Sequence, residues 1–421
     1  MTLKPPKLTN DCFALPRGVT WMPVSEALSK LKKSLQIIAD VEEILVDEAN
    51  GRIISKSPKA IRSSPPVSNS AVDGYGFAHS SLTPGKQTLK LQKGFSAAGI
   101  PFNSKIKPGY AIKIFTGAPL PTGVDTVVLK EDTNFNDLEI AFSSSLKIGS
   151  NTRRQGEDIN KGKKILEVGS IIRPPDLALL KSVGLTTVSV YKKLKIGILS
   201  TGNELVNSFD KNISELQICD SNKLMLMTLI ANWNFEAIDL GIVRDNKKEV
   251  QNRLLSASKN VDVILSTGGA SASDEDYISK VVNEFGSVTS WRVAIKPGRP
   301  IIMGVIHGVP LFGLPGNSVA AFVCAVIFAR PALLFMSGAG WHTPPSFIVS
   351  SAFSKKKKPG RREFLRARVD KQNNVEVYHS EGSGKINSIS WANGLVDLQA
   401  EITEVGVGDP IKFIPFSVLG V

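Results

Sequence analysis

The chain has 421 residues, more than one hydrophobic core ordinarily supports, and this length predicts about two to four domains. Hydrophobic residues make up 42% and charged residues 21%, a composition that excludes an intrinsically disordered chain. The net charge of +13 favours anionic partners such as nucleic acid, anionic lipid, or phosphorylated and oxyanionic small molecules, and does not choose among them.

The first predicted element is an amphipathic helix over residues 23–39, where Ser25 is a candidate N-terminal cap. From about residue 44 to residue 192 the pattern changes to short β-rich pieces separated by glycine and proline. Within that stretch, residues 174–184 predict a short helix that ends at a glycine, and residues 187–191 predict a strand.

Strands and helices then alternate, which predicts a parallel sheet with ligands outside the carboxyl ends of its strands. The predicted strands are 195–200, 237–243, 261–266 and 309–312. The predicted helices are 220–233, 247–258, 277–285 and 318–328. The apolar run 319–335 is cut by Arg330-Pro331, so it predicts a core helix followed by a short segment, and no membrane span.

From about residue 338 to the end, short strands return and predict a small β domain, with strands at 362–369, 374–378 and 409–415. The basic run 355–362 lies between two of these strands and is interpreted as a solvated hairpin loop. No aromatic stacking pattern or nucleic-acid motif accompanies it, so we expect no nucleic-acid partner.

The cysteines are widely separated and form no C-x-x-C pair, which argues against a disulfide framework and a zinc site; they are Cys12, Cys219 and Cys324. The four histidines show no ligand spacing. The N-terminus has no secretory signal pattern, and a reducing cytoplasm fits these features best.

A tight turn, Gly313-Leu-Pro-Gly-Asn317, leads from the predicted strand 309–312 into an apolar helix. Free amides at a helix N-terminus, together with the helix dipole, favour an oxyanion or phosphate there. Lys296 and Arg299 lie one strand upstream and are expected to converge on the same site. An ordinary strand-to-helix turn with good caps is the alternative.

Acidic side chains follow successive strands next to glycine-rich loops, which is typical of a magnesium-phosphate site; they are Glu204, Asp245, Asp274 and Asp276. Simple N-capping of helices is the alternative for some of them, and for Asp220. The chain has no G-x-x-x-x-G-K-[ST] loop, no G-x-G-x-x-G after a strand and no G-x-S-x-G elbow, so an ordinary nucleotide hydrolase, a dinucleotide enzyme and a serine hydrolase are disfavoured.

Seven motifs in unbroken order resemble the successive signatures of the MoeA family, the molybdopterin molybdenumtransferases related to the E domain of gephyrin. They are Ser68-Asn-Ser-Ala-Val-Asp-Gly-Tyr75, Phe115-Thr-Gly-Ala-Pro-Leu-Pro121, Arg153-Arg-Gln-Gly-Glu-Asp158, Leu199-Ser-Thr-Gly-Asn-Glu-Leu205, Ser266-Thr-Gly-Gly-Ala-Ser271, Ile295-Lys-Pro-Gly-Arg-Pro300 and Gly313-Leu-Pro-Gly-Asn317. The similarity spans about residue 20 to the C-terminus.

The resemblance implies a multidomain fold of α/β and β parts. A linking domain would cover 20–57 and 153–192, an inserted β-rich lobe 58–152, a molybdopterin-binding α/β domain with a parallel sheet 193–337, and a small β-barrel-like domain 338–421. It also implies a homodimer whose active site lies between subunits, since the β-rich lobe of family members faces the partner's α/β domain.

The implied activity belongs to molybdenum cofactor biosynthesis. Molybdate is inserted into adenylated molybdopterin, AMP is released, and the reaction needs Mg²⁺. A molybdopterin adenylyltransferase is a possible hand-over partner, and no membrane is involved. Two alternatives stay open: the chain is itself a molybdopterin adenylyltransferase, or it is a cofactor-binding scaffold without turnover.

Matched motif by motif, the resemblance implies catalytic roles for Asp73, Thr116, Glu204, Asp245 and Asp276, and metal ligation by the last three of these. It implies substrate contacts for Arg153, Asp158, Asp220, Ser221, Ser271, Arg292, Lys296, Arg299, Pro315, Gly316, Asn317 and Ser318. A turn for Asp73, a structural ion pair for Asp158 and N-capping for Asp220 are the competing explanations.

The chain departs from the family pattern at three places. Many relatives continue the last motif with Pro-Val-Ser, whereas this chain has Ser318-Val-Ala320. Residues 270–273 lack a glycine that is frequent in relatives, and Arg292 stands where a lysine is common. We expect these changes to affect molybdate affinity more than the fold.

Overall fold

The computed structural model describes residues 21–208, 213–268, 277–298 and 301–421. The chain forms two compact units, one of them Glu42–Val190 and the other built from the chain on either side of it. The expected fold class is confirmed, because Glu42–Val190 is rich in β-structure and the second unit holds an α/β domain and a C-terminal β-barrel. The four domain boundaries given above stay predictions.

The first helix, α1, spans Val24–Ser34 and is shorter than predicted at its C-terminal end. Its buried side chains Val24, Ala27 and Leu31 recur at helical spacing. The N-cap residue is Pro23, so the predicted capping by Ser25 is wrong, because Ser25 already lies in the first turn. The helix ends at the C-cap residue Leu35, whose backbone is extended.

The unit Glu42–Val190 contains three sheets. The strands are β1 (Val41–Leu45), β2 (Ile53–Ile54), β3 (Asn69–Ser70), β4 (Gly74–Phe77), β5 (Gly85–Ser96), β6 (Tyr110–Ile114), β7 (Thr126–Leu129), β8 (Asn134–Phe135), β9 (Glu139–Ser144), β10 (Thr152–Arg153) and β11 (Thr187–Tyr191), with one helix, α2 (Pro174–Ser182), before β11. The largest sheet has the order β7-β4-β6-β5-β9-β8, β10 pairs with β3, and β11 lies between β1 and β2.

The α/β domain is built around one six-stranded sheet with the order β15-β12-β16-β20-β19-β17. Its strands and the short strands beside it are β12 (Lys195–Thr201), β13 (Leu205–Val206), β14 (Ile218–Cys219), β15 (Glu236–Val243), β16 (Val263–Thr267), β17 (Gly286–Trp291), β18 (Ile295–Lys296), β19 (Ile301–Ile306) and β20 (Val309–Leu314). Its first helices are α3 (Ser221–Asn232), α4 (Lys247–Ala257) and α5 (Tyr277–Phe285).

In this sheet, β15, β12, β16 and β20 are mutually parallel, as the alternating pattern predicts. The other end of the sheet is antiparallel, since β19 pairs in antiparallel orientation with both β20 and β17. The sequence analysis had not identified β17 or β19 as strands. Val250 and Leu254 of α4 and Val281 of α5 pack in one apolar core with Leu199 and Ile264 of the sheet.

A long buried helix follows β20. It consists of α6 (Ser318–Cys324), a π-helical turn at Ala325–Ala329 and α7 (Arg330–Met336). The predicted interruption at Arg330-Pro331 is wrong, because the wider turn before Pro331 accommodates a residue that cannot donate a backbone hydrogen bond. By length and mean hydropathy (2.2) Ser318–Met336 could cross a membrane, but 89% of this apolar stretch is buried within the protein, as in the core helix of a folded domain.

The C-terminal domain closes into a barrel, because β23 pairs with β24, β24 with β21, β21 with β27, β27 with β25, and β25 again with β23. The elements are β21 (Phe347–Ser351), β22 (Lys355–Lys356), β23 (Arg362–Val369), β24 (Asn374–Val377), α8 (Asn387–Trp391), β25 (Gly394–Leu398), β26 (Glu404–Val405), β27 (Pro410–Pro415) and α9 (Phe416–Leu419). The strand β18 of the α/β domain extends this sheet by pairing with β23.

The basic run 355–362 is not a solvated hairpin loop. Lys355 pairs with Val405 across β22 and β26, and its ammonium group forms ion pairs. Lys357 donates to three backbone carbonyls. Arg362 forms a two-bond ion pair with the buried Asp397 at 2.6 and 2.7 Å. Composition alone could not show this, because the partners come from distant strands.

Replacing Arg362 with alanine is expected to lower the free energy of unfolding by about 3 kcal/mol, because it leaves the buried carboxylate of Asp397 without its cation. Asp397 is only 3% exposed. Chemical denaturation followed by circular dichroism measures the change.

The matched control is K356A, which breaks the exposed Lys356–Glu404 pair (3.6 Å) in the same domain and should cost less than about 1 kcal/mol. Equal midpoints for the two variants would contradict the assigned role of Arg362.

Candidate active site

The carboxyl ends of β12, β16 and β20 lie side by side, since the three strands are parallel neighbours. Each strand runs into a glycine-containing turn, at Gly202, Gly268 and Gly316. Gly268 has a φ of +85°, and a Cβ on it would lie 2.4 Å from the carbonyl oxygen of Thr201. A Cβ on Gly316 would lie 3.7 Å from Gly268. Gly268 therefore approaches Thr201 at a distance that requires glycine, whereas the turn at Gly316 lies in ordinary van der Waals contact with Gly268.

One side chain that the sequence analysis did not single out joins two of these turns. Asn222, in the first turn of α3, donates from its amide nitrogen to Thr267 Oγ1 (3.0 Å) and to the carbonyl oxygen of Gly316 (2.6 Å). Thr267 Oγ1 in turn donates to the carbonyl oxygen of Pro315 at 3.4 Å. Asn222 belongs to the sequence motif Asp220-Ser-Asn222, but substrate contacts were predicted only for Asp220 and Ser221.

Buried polar groups line the same edge of the sheet. Ser200 and Ser266 are fully buried, and their hydroxyls find no hydrogen-bond partner within the described ranges. Asp220 is 7% exposed; one carboxylate oxygen caps α3 through the amide of Lys223, and the other has no partner among the described residues. Buried polar atoms in this state are costly unless a ligand or water satisfies them, which marks the edge as a binding region.

Hydrogen bonds join Asp245 to Asn203, the residue that precedes Glu204 in sequence. The backbone amide of Asn203 donates to Asp245 Oδ2 (3.3 Å), and the amide of Asp245 donates to Asn203 Oδ1 (3.2 Å). Glu204, the next residue, is exposed. Mg²⁺ in proteins keeps several waters and takes one or two carboxylates, so these two acids are suitable ligands for it.

Part of the predicted site lies outside the described residues, namely Ser271, Asp274, Asp276 and Arg299, together with the departure at 270–273. Within the described ranges there is no group of three or more histidine, cysteine or acidic side chains that could hold a metal. The three-carboxylate metal site that includes Asp276 therefore stays a prediction.

The first turn of the helix after β20 is closed by the C-terminal domain. Asn317 is the N-cap residue but makes no side-chain capping bond, and Ser318 begins the helix. The amide of Val319 donates to the carbonyl oxygen of Ser383 at 3.0 Å. One amide of the predicted oxyanion turn is thus already bonded.

The basic side chain of Lys296 approaches this region but is paired with acids. Its ammonium group contacts Glu381 and lies 3.7 Å from Glu363. A Cβ on Gly298, two residues further, would lie 2.5 Å from Sγ of Cys324, so this segment packs against the helix after β20. Arg292 precedes the segment, and its carbonyl oxygen accepts from the amide of Met22.

In the unit Glu42–Val190, the structure places Asp73 against Thr116. Both the backbone amide and the hydroxyl of Thr116 donate to Asp73 Oδ1 at 2.7 Å. Hydrogen bonds from the Thr116 hydroxyl, and then from its amide, hold the pKa of Asp73 below its ordinary value of 3.8. Gly74 must be glycine here, since a Cβ would lie 1.9 Å from the carbonyl oxygen of Val128.

The third motif of this unit adjoins the first. Arg153 pairs with Asn69 across β10 and β3, and its side chain is exposed. Asp158 is exposed, and its amide donates to the carbonyl oxygen of Ser64. The carboxylate of Glu157 accepts from the amide of Arg154 at 2.9 Å. The motif thus presents the side chains of Arg153 and Asp158 at the surface of its own unit.

Replacing Thr116 with valine should raise the pKa of Asp73 towards its ordinary value, because the hydroxyl donor is lost while the backbone amide remains. An NMR titration of the aspartate side-chain carbons measures this change. In the wild type, the lowered pKa keeps Asp73 ionised from neutral pH down to below 3.8.

T133V is the control, since the hydroxyl of Thr133 donates to the carbonyl oxygen of Lys130 and not to Asp73. A titration curve of Asp73 that is the same in T116V and in the wild type would refute the assigned cause.

Three family models match consecutive parts of the chain. The MoeA N-terminal region (domain I and II) matches residues 22–184, the probable molybdopterin binding domain residues 197–334, and the MoeA C-terminal region (domain IV) residues 349–416. They cover both structural units and follow the order of the sequence motifs.

Curated relatives and a solved structure match nearly the whole chain. A molybdopterin molybdenumtransferase of Haemophilus influenzae is 34% identical over 94% of this chain and 99% of its own length. One of Nostoc sp. is 28% identical over 88% of both chains. The crystal structure of a molybdopterin biosynthesis MoeA protein from Pyrococcus horikoshii OT3 covers 94% of this chain and 100% of its own, with a TM-score of 0.83 and 26% identity.

The ordered motifs, the closely packed turns at the sheet edge and this full-length similarity lead to one conclusion: the chain belongs to the MoeA family.

Proposed function

We propose that the protein is a molybdopterin molybdenumtransferase of molybdenum cofactor biosynthesis, which inserts molybdate into adenylated molybdopterin and releases AMP with Mg²⁺. The observation that carries this proposal is the buried polar edge at β12, β16 and β20, where Asn222 fixes two glycine turns and the hydroxyls of Ser200 and Ser266 have no partner among the described residues. Relatives named for this activity match 99% and 88% of their own length.

The chemistry needs charge stabilisation more than it needs a protein nucleophile, because AMP is a good leaving group once its phosphate charge is neutralised. Glycine turns let backbone amides approach phosphate closely. The capped N-terminus of α3, with Asp220 and Ser221, provides further polar groups for the pterin part of the substrate. These residues would bind and orient the substrate and exclude water.

Glu204 and Asp245 would hold Mg²⁺ together with Asp276, and the bound ion would neutralise charge on the phosphoanhydride. Asn203 fixes Asp245 beside the turn that carries Glu204. Asp73, held by the hydroxyl of Thr116, provides a further carboxylate in the unit Glu42–Val190. The homodimer with an active site between subunits, the adenylyltransferase partner and the cytoplasmic location stay predictions.

The decisive assay mixes the purified protein with adenylated molybdopterin, molybdate and Mg²⁺ and measures AMP by chromatography. We expect AMP release that depends on molybdate and is lost on chelation of Mg²⁺. No molybdate-dependent AMP release would reject the proposal. ATP consumption with free molybdopterin would identify an adenylyltransferase instead, and binding without any turnover would identify a scaffold.

N222A should reduce the rate of AMP release roughly tenfold to a hundredfold, because the turns after β16 and β20 lose the amide that fixes them. Single-turnover kinetics measure this rate at saturating substrate.

N232A is the matched control at the other end of α3, where the Asn232 amide donates to the carbonyl oxygen of Gly420 at an exposed position. Equal rates for N222A and N232A would exclude the proposed role of Asn222.

A further inference from the structure

Four charged side chains meet where the α/β domain joins the C-terminal barrel. Lys296 and Lys355 both contact Glu381, and they lie 3.7 and 3.4 Å from the two carboxylate oxygens of Glu363. We call these residues, Lys296, Lys355, Glu363 and Glu381, the lysine–glutamate cluster. Neither Lys355 nor the two glutamates had been expected at the site from the sequence.

The two glutamates of the cluster differ in how firmly they are held. Glu363 has a side chain that is only 2% exposed, and it lies in β23 with its backbone paired to Lys296. Glu381 has a side chain that is 43% exposed, and it lies outside any strand or helix, beside Gly382. The carboxylate of Glu381 is therefore the one of the two that an incoming anion can reach.

The charges of the cluster balance only while Glu381 is present. Two lysines and two glutamates give +2 and −2. Departure of Glu381 leaves one net positive charge, and Arg366, a buried neighbour, adds a second. Arg366 donates to the carbonyl oxygens of Ser380 and Gly382, on either side of Glu381. The group would then carry a net positive charge that attracts an anion.

The same segment covers the turn that the sequence predicts to bind an oxyanion. Ser383, two residues after Glu381, accepts the hydrogen bond from the amide of Val319 in the first turn of the helix. A Cβ on Gly384 would lie 3.7 Å from Asn317 Oδ1. Residues 380–384 thus lie over both the helix N-terminus and Lys296.

Glu381 already behaves as a bound anion. Burial would raise its pKa, but the hydrogen bonds from Lys296 and Lys355 outweigh burial and lower the pKa to about 2. Its carboxylate is therefore ionised at neutral pH and occupies the cations continuously.

We propose that Glu381 is a built-in counter-anion that occupies Lys296 and Lys355 until an incoming tetrahedral dianion displaces it, and that Lys355 is a second cation for that dianion. This rests on the proposed function, together with the sequence-based prediction that Lys296 contacts the oxyanion. Glu381 then selects for double charge, since a monoanion would replace one carboxylate by another single charge and gain little.

The test measures molybdate binding to the full-length protein by isothermal titration calorimetry. E381Q should bind molybdate about fivefold more tightly than the wild type, because molybdate no longer has to displace the Glu381 carboxylate from Lys296 and Lys355. K355Q should bind it about fivefold more weakly. E404Q is the matched control, which removes a glutamate from an exposed lysine pair of the same domain and should leave the affinity unchanged.

An affinity of E381Q equal to or below that of the wild type overturns the proposal, and so does an equal gain in E404Q, which would indicate a general charge effect. Unchanged affinity in K355Q removes Lys355 from the site. The AMP assay separates the two proposals: molybdate-dependent AMP release with no gain in E381Q refutes the counter-anion alone. Tighter binding in E381Q without AMP release refutes the enzymatic function alone.

Discussion

The parallel alignment of β12, β16 and β20 is the constraint on which the rest of the site depends. Parallel neighbours end at the same edge of a sheet, so residues far apart in sequence become adjacent there. Gly268 could not pass so close to the end of β12 if it carried a side chain. Asn222 then fixes the turns with bonds that only this packing makes available. Loss of the alignment would separate all of these groups together.

Local pattern predicted the bounds of several helices and strands correctly. The helix Tyr277–Phe285 and the strands Thr187–Tyr191 and Arg362–Val369 have the bounds expected from the sequence. Prediction failed where distant partners decide the structure. The strands β17 and β19 are defined by their pairing with each other across an intervening segment, and the π-helical turn before Pro331 lies inside a packed core. Propensity carries no information about either.

The residues of the candidate site were likewise predicted only in part. Motifs identified Asp73 and Thr116, which the fold brings into direct contact, and Glu204 and Asp245, which it places on adjoining turns. The sequence did not reveal that Lys296 would be paired with acids from the C-terminal domain. Those acids are separated from it by 67 and 85 residues, and no local signal links them to the oxyanion turn. Burial and charge balance, which decide their role, exist only in the folded chain.

The pairing of β18 with β23 makes the α/β domain and the barrel share one sheet. The choice of boundaries for a stable fragment is therefore restricted. A fragment that starts after the α/β domain would leave Arg362 and Glu363, at the start of β23, without the partner strand β18. It would also leave the nearly buried Glu363 without one of its two lysines. Fragments for crystallisation or binding studies should keep Ile295–Lys296 together with the barrel.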